Sequence, residues 1–229
     1  STLEWTTPEL NEQTEWSNVL GYNAGDTLDV IMRDVYAAGT SVTYSGNATL
    51  RTNVDSTDII DTTAIRKAVR ILKNNNAKHI TSFSKTDRDV DTYNVRPCFV
   101  AIVHPNITYT LKGLTGWLDM EQYAHTTEMM PGEVGKFDEV RFIESTNAKI
   151  FAGVGTGGID VYAILVFAQD AVARTMITGN GLEMIYNAAG SAGSLDPLKR
   201  LATMGWFTTF AAVILNNAFM TRIECAAAA

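Results

Sequence analysis

The chain has 229 residues, 46% of them hydrophobic and 19% charged, and carries a formal charge of −7 from 18 basic and 25 acidic residues. Such a length buries roughly 70–75% of the unfolded surface, so the chain needs no staple, and two cysteines, Cys98 and Cys225, are too few for a disulfide framework. The acidic balance argues against tight, sequence-independent nucleic-acid binding. The longest apolar candidate, MGWFTTFAAVIL at 204–215, is 12 residues long, against the about 18 that a membrane helix requires.

The opening STLEWTTPELNEQTEW starts at Ser1 without Met and has neither the charged start nor the apolar stretch of a targeting segment. It reads as the middle of something longer. From residue 10 to 38, Leu20, Ala24, Leu28, Ile31, Met32 and Val35 recur near helical spacing and predict one face of an amphipathic helix. Gly21 and Gly25 fall inside it. Each costs about 1 kcal/mol relative to Ala in a helix interior, so a break near them, or a close backbone approach by a neighbour, is expected. A helix this long suggests a brace across something elongated.

Residues 40–57 read as a hairpin or irregular loop with a turn at 45–47. Asp61 or Thr62 should cap a second helix over 63–74. Ile65, Ala68, Val69 and Leu72 form its buried face; Arg66, Lys67, Arg70 and Lys73 form a solvated opposite face or a contact with an acidic neighbour. Residues 78–96 look like a polar, exposed excursion. CFVAIV at 98–103 has the continuous apolar character of a strand covered on both faces. Pro105 then opens a helix over 106–112. Strands follow at 140–143, 148–151 and 159–168, the last the most apolar in the chain. Residues 176–187 are a short strand or helix. Residues 200–224 are extended with a turn at Asn216–Asn217, and Trp206, Phe207 and Phe210 are assigned to the core. One long helix followed by mixed elements and then strands is an α+β order, not an alternating βαβ one.

No constellation carries chemistry. Gly153, Gly155 and Gly158 spell GxGxxG, but a strand-like IDVYAILVF follows where dinucleotide binding needs a helix. His79, His104 and His125 are scattered, and His125 with Glu128 at i, i+3 lacks any HExxH or CxxC to complete a metal site. Cys98 sits in an apolar run, as an inert core thiol does. Without a secretory signal, the sequons at Asn47 and Asn106 are chance matches. Neither catalytic residue nor cofactor nor metal is expected.

Several segments, in order, resemble the major capsid proteins of tailed phages, the family typified by podovirus N-four and built on the Hong Kong 97-type fold. They are GYNAGDTLDVIMRDVYAAGTSVTYSG (21–46), TTAIRKAVRILKNNNA (62–77), RPCFVAIVHPNITYTLKG (96–113), GEVGKFDEVRFIESTNAKIFAG (132–153), VYAILVFAQDA (161–171) and LATMGWFTTFAAVILNNAFMTRIE (201–224). The family's N-terminal arm and extended loop, which lap neighbouring subunits, would lie upstream of Ser1.

The resemblance implies a spine helix and part of a peripheral domain over 1–60, an axial domain over 61–195, and closing peripheral strands over 196–229. It implies a non-enzymatic protein of the virion, assembled in the bacterial host cytoplasm. Copies would form pentamers and hexamers of an icosahedral shell around double-stranded DNA, which they contact weakly. Portal, scaffold or decoration proteins are possible partners; a membrane is not. Gly21, Gly25, Arg88 and Glu128 are the candidate subunit contacts. The alternatives are an encapsulin-like compartment shell and a nucleotide-binding enzyme using residues 153–158.

Overall fold

A computed structural model describes residues 12–84, 92–123, 129–176, 181–191, 198 and 202–228. In chain order the elements are α1 (Glu12–Ala37), β1 (Val42–Tyr44), α2 (Thr62–Asn74), β2 (Ile80–Ser84), β3 (Thr92–Val103), α3 (Pro105–Lys112), β4 (Leu118–Asp119), β5 (Glu133–Phe137), β6 (Val140–Glu144), β7 (Ile150–Phe151), β8 (Val161–Phe167), β9 (Val172–Met176), β10 (Glu183–Asn187), β11 (Thr203–Phe207), β12 (Phe210–Ile214) and β13 (Met220–Cys225). The α+β class is as expected.

Nine strands form one mixed sheet. Its path runs β1-β13-β8-β3-β6-β5-β4, with β2 added to β3 and β7 to β8. The pairs β1–β13 and β3–β6 are parallel. β8 lies antiparallel between β13 and β3, and all seven of its residues are buried, as a strand covered on both faces must be. Side chains alternate across the pleat, which splits the core. Phe99, Ala101 and Val103 of β3 and Ile164 and Val166 of β8 pack with Ile65, Ala68, Val69 and Leu72 of α2 and Ile107 and Leu111 of α3. On the opposite side Leu165, Phe167 and Met220 pack with Ala37, at the end of α1, and Ala171.

Local chemistry explains the helix ends. Asp61 is in extended conformation and its carboxylate accepts from the Ala64 N–H at 2.7 Å, a side-chain cap on α2. At the other end Asn76 takes φ +54°, the Asn76 N–H donates to Lys73 O, and the Ala77 N–H donates to Leu72 O. This is a Schellman closure with asparagine in the left-handed position, and it accounts for the run of three asparagines. His104 caps α3, its Nδ1 accepting from the Asn106 N–H at 3.2 Å, and Pro105 fills the first helical position.

Four expectations change in whole or in part. Of the break or close approach expected at Gly21 and Gly25, the break is absent and helix α1 runs through both. Of the hairpin or irregular loop expected over 40–57, the irregular loop forms, with its turn at 45–47: β1 pairs in parallel with β13, and residues 51–53 are a 3-10 turn. The excursion over 78–96 contains the β2–β3 hairpin, whose register runs from Ile80↔Cys98 to Ser84↔Thr92; its alternation is too polar to mark it as a strand. Phe207 is 52% exposed rather than core.

By internal contact the chain forms two compact units. One comprises residues 1–32 and 174–212, the other 33–173 and 213–229. The closing strand β13 hydrogen-bonds both β1 and β8, which draws residues 42–44 and 220–225 into the main sheet.

Gly46 marks a tight point in the larger unit. It takes φ +59°, and a Cβ there would overlap the Asp58 carboxylate. That carboxylate is buried and accepts from the Asn47 and Asp55 N–H groups, both at 3.1 Å. Gly46→Ala adds left-handed strain of about 1–2 kcal/mol and disturbs two hydrogen bonds to a buried charge. Urea denaturation should show a loss of about 2–4 kcal/mol.

Candidate functional site

Helix α1 is the element that a shape-based function would use. Trp16, Val19, Tyr22 and Ile31 are exposed on it, while Ala24 and Leu28 are buried. Gly21 and Gly25 lie on its exposed side, and a Cβ added at either meets no atom within 4 Å. Nothing among the described residues therefore requires glycine at these positions. Arg88, His125 and Glu128 lie outside the described residues.

The C-terminal end of α1 is held by a buried charge network. Carbonyls of a final helical turn lack intrahelical partners and carry the negative end of the helix dipole. The Arg222 Nη1 donates to Ala37 O and to Gly39 O, the latter at 3.2 Å. Arg222 Nε donates to Glu224 Oε1 at 2.7 Å. Glu224 has no exposed side-chain surface, and it also accepts from Arg51 Nε at 2.9 Å and Nη2 at 2.7 Å, a two-pronged guanidinium–carboxylate pair. The Arg51 guanidinium lies 3.4 Å from the Phe151 ring centroid. One carboxylate thus ties β13, the 51–53 turn and the end of α1. A second tie is Arg33 Nη1 donating to Asn147 O at 2.9 Å, with Asp34 accepting from Lys149 Nζ at 2.9 Å. The Lys149 hydrogen bond holds the Asp34 carboxyl below the usual carboxylate range.

A further buried ion pair joins Arg141 to Glu133 at 3.3 Å. Glu133 also accepts from the Tyr123 hydroxyl at 2.8 Å and the Met130 N–H at 3.0 Å. Burial, and then this bond to a carboxylate, push the Tyr123 hydroxyl far above its ordinary pKa. Beside α2, Glu139 accepts from Lys73 at 2.5 Å and contacts His79 Nε2 at 2.9 Å; the Lys73 bond first, then His79, lower its pKa. His79 stacks on Phe99 with ring centroids 4.4 Å apart.

These groups are poorly placed for chemistry. Burial raises the Cys98 thiol to about 11 and the Cys225 thiol to about 12, so neither is a thiolate at neutral pH. Burial lowers the His104 pKa, and the ring is engaged as a helix cap. Among the described residues no group of three or more His, Cys, Asp or Glu could hold a metal ion. None of the described helices is long and apolar enough to cross a membrane.

The glycine loop is not a phosphate cradle. Gly153 N–H donates to Asp160, Gly155 N–H to Ile159 O, Thr156 N–H to Val54 O and Gly158 N–H to Gly155 O. Four of the N–H donors that would hold an anion are thus already used, and β8 follows where a helix is needed.

The buried charges were missed by sequence reasoning. Arg222 and Glu224 alternate with Thr221, Ile223 and Cys225 in MTRIEC, a pattern that reads as one solvated face. Both faces are covered, so the charges pair instead.

Residues 2–183 match the phage capsid protein family. The major capsid protein of Pseudomonas phage KPP21 is 22% identical over 204 residues, covering 80% of this chain and 51% of that protein. The chain thus spans about half the length of that relative. A solved structure titled as the capsid asymmetric unit of cyanophage Pam1 superposes with a TM-score of 0.60 at 15% identity, over 95% of this chain and 70% of that one. The asymmetric unit of the mature capsid of bacteriophage PhiM1 gives 0.58 at 12% identity, over 98% and 67%. These likenesses establish the fold as the Hong Kong 97 type. With an α+β body, a long α1 fastened at one end, and a family match over most of its length, the chain belongs to the phage capsid protein family.

Proposed function

We propose that this protein is a structural subunit that associates with copies of itself, in five- and six-membered rings, to build an icosahedral phage shell around double-stranded DNA. The observation that carries the reading, beside family membership, is α1. A continuous 26-residue helix holds two interior glycines with open space beside both, and large apolar side chains stay exposed around them. Gly21 and Gly25 are then places where a neighbouring backbone crosses closely. Arg88 and Glu128 are proposed contacts as well. Residues 61–195 are assigned to the axial part and 1–60 with 196–229 to the peripheral part, a division by position in a ring rather than by contact within one chain.

The engaged glycine loop supports a non-enzymatic role. The relatives named are phage capsid proteins, which disfavours the encapsulin-like compartment. The net charge of −7 suits a container that must not trap its DNA. Localisation in the virion, assembly in the host cytoplasm, and portal, scaffold or decoration partners belong to the same proposal.

Gly25→Leu tests it. With no described atom within 4 Å of an added Cβ, Leu should raise the stability of the unassembled protein by up to about 1 kcal/mol through helix propensity. In sedimentation velocity over a concentration series, the same variant should assemble at least about tenfold less well than the parent. Equal assembly contradicts a backbone crossing at α1.

A further inference from the structure

Three bases on the outer side of α2 are left over from the chain's own ion pairing. In 13 residues α2 carries Arg66, Lys67, Arg70 and Lys73 and no acid. At 3.6 residues per turn the four occupy about a third of the helix circumference, turned away from the core stripe of Ile65, Ala68, Val69 and Leu72. Lys73 is engaged by Glu139, and Arg33, Arg51, Arg141, Lys149 and Arg222 likewise bond to carboxylates of this chain. Arg66 and Arg70 are exposed and Lys67 is half-buried, and among the described residues none of the three forms an ion pair. Arg66 lies 5.6 Å from the Phe137 ring centroid, a contact that uses no N–H hydrogen bond. The carboxylates that bond to α2 are occupied: Asp61 by the Ala64 N–H, Glu139 by Lys73 and His79.

The kind of residue present decides what meets this side. Protein interfaces centre on aromatic or aliphatic anchors and deplete charge from the middle. The outer side of α2 exposes no large apolar side chain, and its centre is guanidinium and ammonium. Contacts to duplex DNA are of the opposite kind: one negative charge for about every 1.7 Å of helix axis, met by Arg, Lys and hydroxyl groups. Arg66 and Arg70 stand about 6 Å apart along the α2 axis, and a duplex offers phosphates to such a pair without any fixed register. Helix α3, on the same face of the sheet, adds the exposed Lys112 and Tyr109 and no acid. The negative net charge does not oppose this, because it is unevenly placed: residues 1–32 hold six acids and no base.

We propose that the outer side of α2, through Arg66, Lys67 and Arg70, is the surface of this protein that meets the phosphate backbone of the enclosed double-stranded DNA. The inference rests on the shell-subunit reading and deepens it by naming which face of the main sheet turns toward the DNA. Three phosphate contacts make a weak, salt-sensitive and sequence-independent bond, which fits a container that must not trap its contents.

The test uses the whole protein, a short fluorescein-labelled duplex and fluorescence anisotropy over a salt series. Three contacts give a slope of about −2.7 in log K against log salt, so affinity should fall about 40-fold between about 50 and 200 mM. That readout needs no variant. Arg66→Gln combined with Arg70→Gln keeps good helix formers at both positions and should keep the circular dichroism and the assembly of the parent. It should lower affinity at about 50 mM salt at least about fivefold and cut the salt effect to about three- to fourfold. Thr14→Asp combined with Asn18→Asp, at exposed positions of α1, shifts the net charge by the same amount and should leave affinity within about twofold of the parent. A parent that binds no duplex at about 50 mM salt, an arginine double variant that binds like the parent, or an equal loss in both double variants overturns the DNA-facing assignment and leaves the shell reading standing. Polyglutamate that binds the parent more tightly than duplex, through the same arginines, overturns it in favour of an acidic protein partner. An arginine double variant that keeps its fold but no longer assembles overturns it in favour of a subunit contact. A parent that stays monomeric at every concentration overturns the shell reading and, with it, the enclosure this inference assumes.

Discussion

Glu224→Ala is expected to be among the most damaging single substitutions, costing about 3–5 kcal/mol. Removing one partner of a buried ion pair leaves the other charge desolvated, and that penalty exceeds the modest net worth of the pair itself. Here the loss strands two guanidinium groups: Arg222, almost fully buried, and Arg51, partly exposed. Arg222 also loses the anchor that aims it at Ala37 O and Gly39 O, so the end of α1 loosens with it. At roughly 2–4 °C per kcal/mol for a chain of this size, thermal unfolding should move down by about 6–20 °C. Arg51→Ala should cost less, about 1–2 kcal/mol, because Arg222 still neutralises the carboxylate. If Glu224→Ala and Arg51→Ala shift urea midpoints equally, the carboxylate is not the hub of the network.

Phe99→Ala should cost about 3–5 kcal/mol, the usual range for emptying a buried aromatic site. Phe99 has no exposed surface, sits on β3 at the middle of the nine-stranded sheet, and packs in the cluster that includes α2 and α3. Its ring also backs His79, which contacts Glu139. Truncation therefore opens a cavity and frees a side chain that positions an ion pair. Tyr109→Ala is the control. Tyr109 lies on nearby α3 but is 78% exposed, and its loss should fall within about 0.5 kcal/mol. Urea denaturation of the two variants beside the parent decides the matter, and similar midpoints contradict the assigned core.

Elements with a strong local pattern are legible in the sequence. Helix α2 has an Asp cap, a clean apolar stripe and a triple-asparagine stop, and its ends agree within a residue. The buried half of β3, residues 98–103, and strand β8 announce themselves as unbroken apolar runs. What depends on distant partners is not legible. The parallel pairing of β1 with β13 joins residues about 180 positions apart, and three residues carry no register signal of their own. Helix α1 continues through Gly21 and Gly25 because two glycines lower helix stability without forbidding it. Phe207 looks like core by composition, yet it lies on a ribbon that, among the described residues, has no third strand. The pairing of Glu224 with Arg51 and Arg222 is likewise invisible until β13 is placed inside the sheet.

The central claim is that this surface fits copies of itself. Electron microscopy of the purified protein, combined with mass per particle, tests it most directly. The account predicts rings or closed shells whose mass is a multiple of five or six protomers. A homogeneous population of single protomers at high concentration contradicts it.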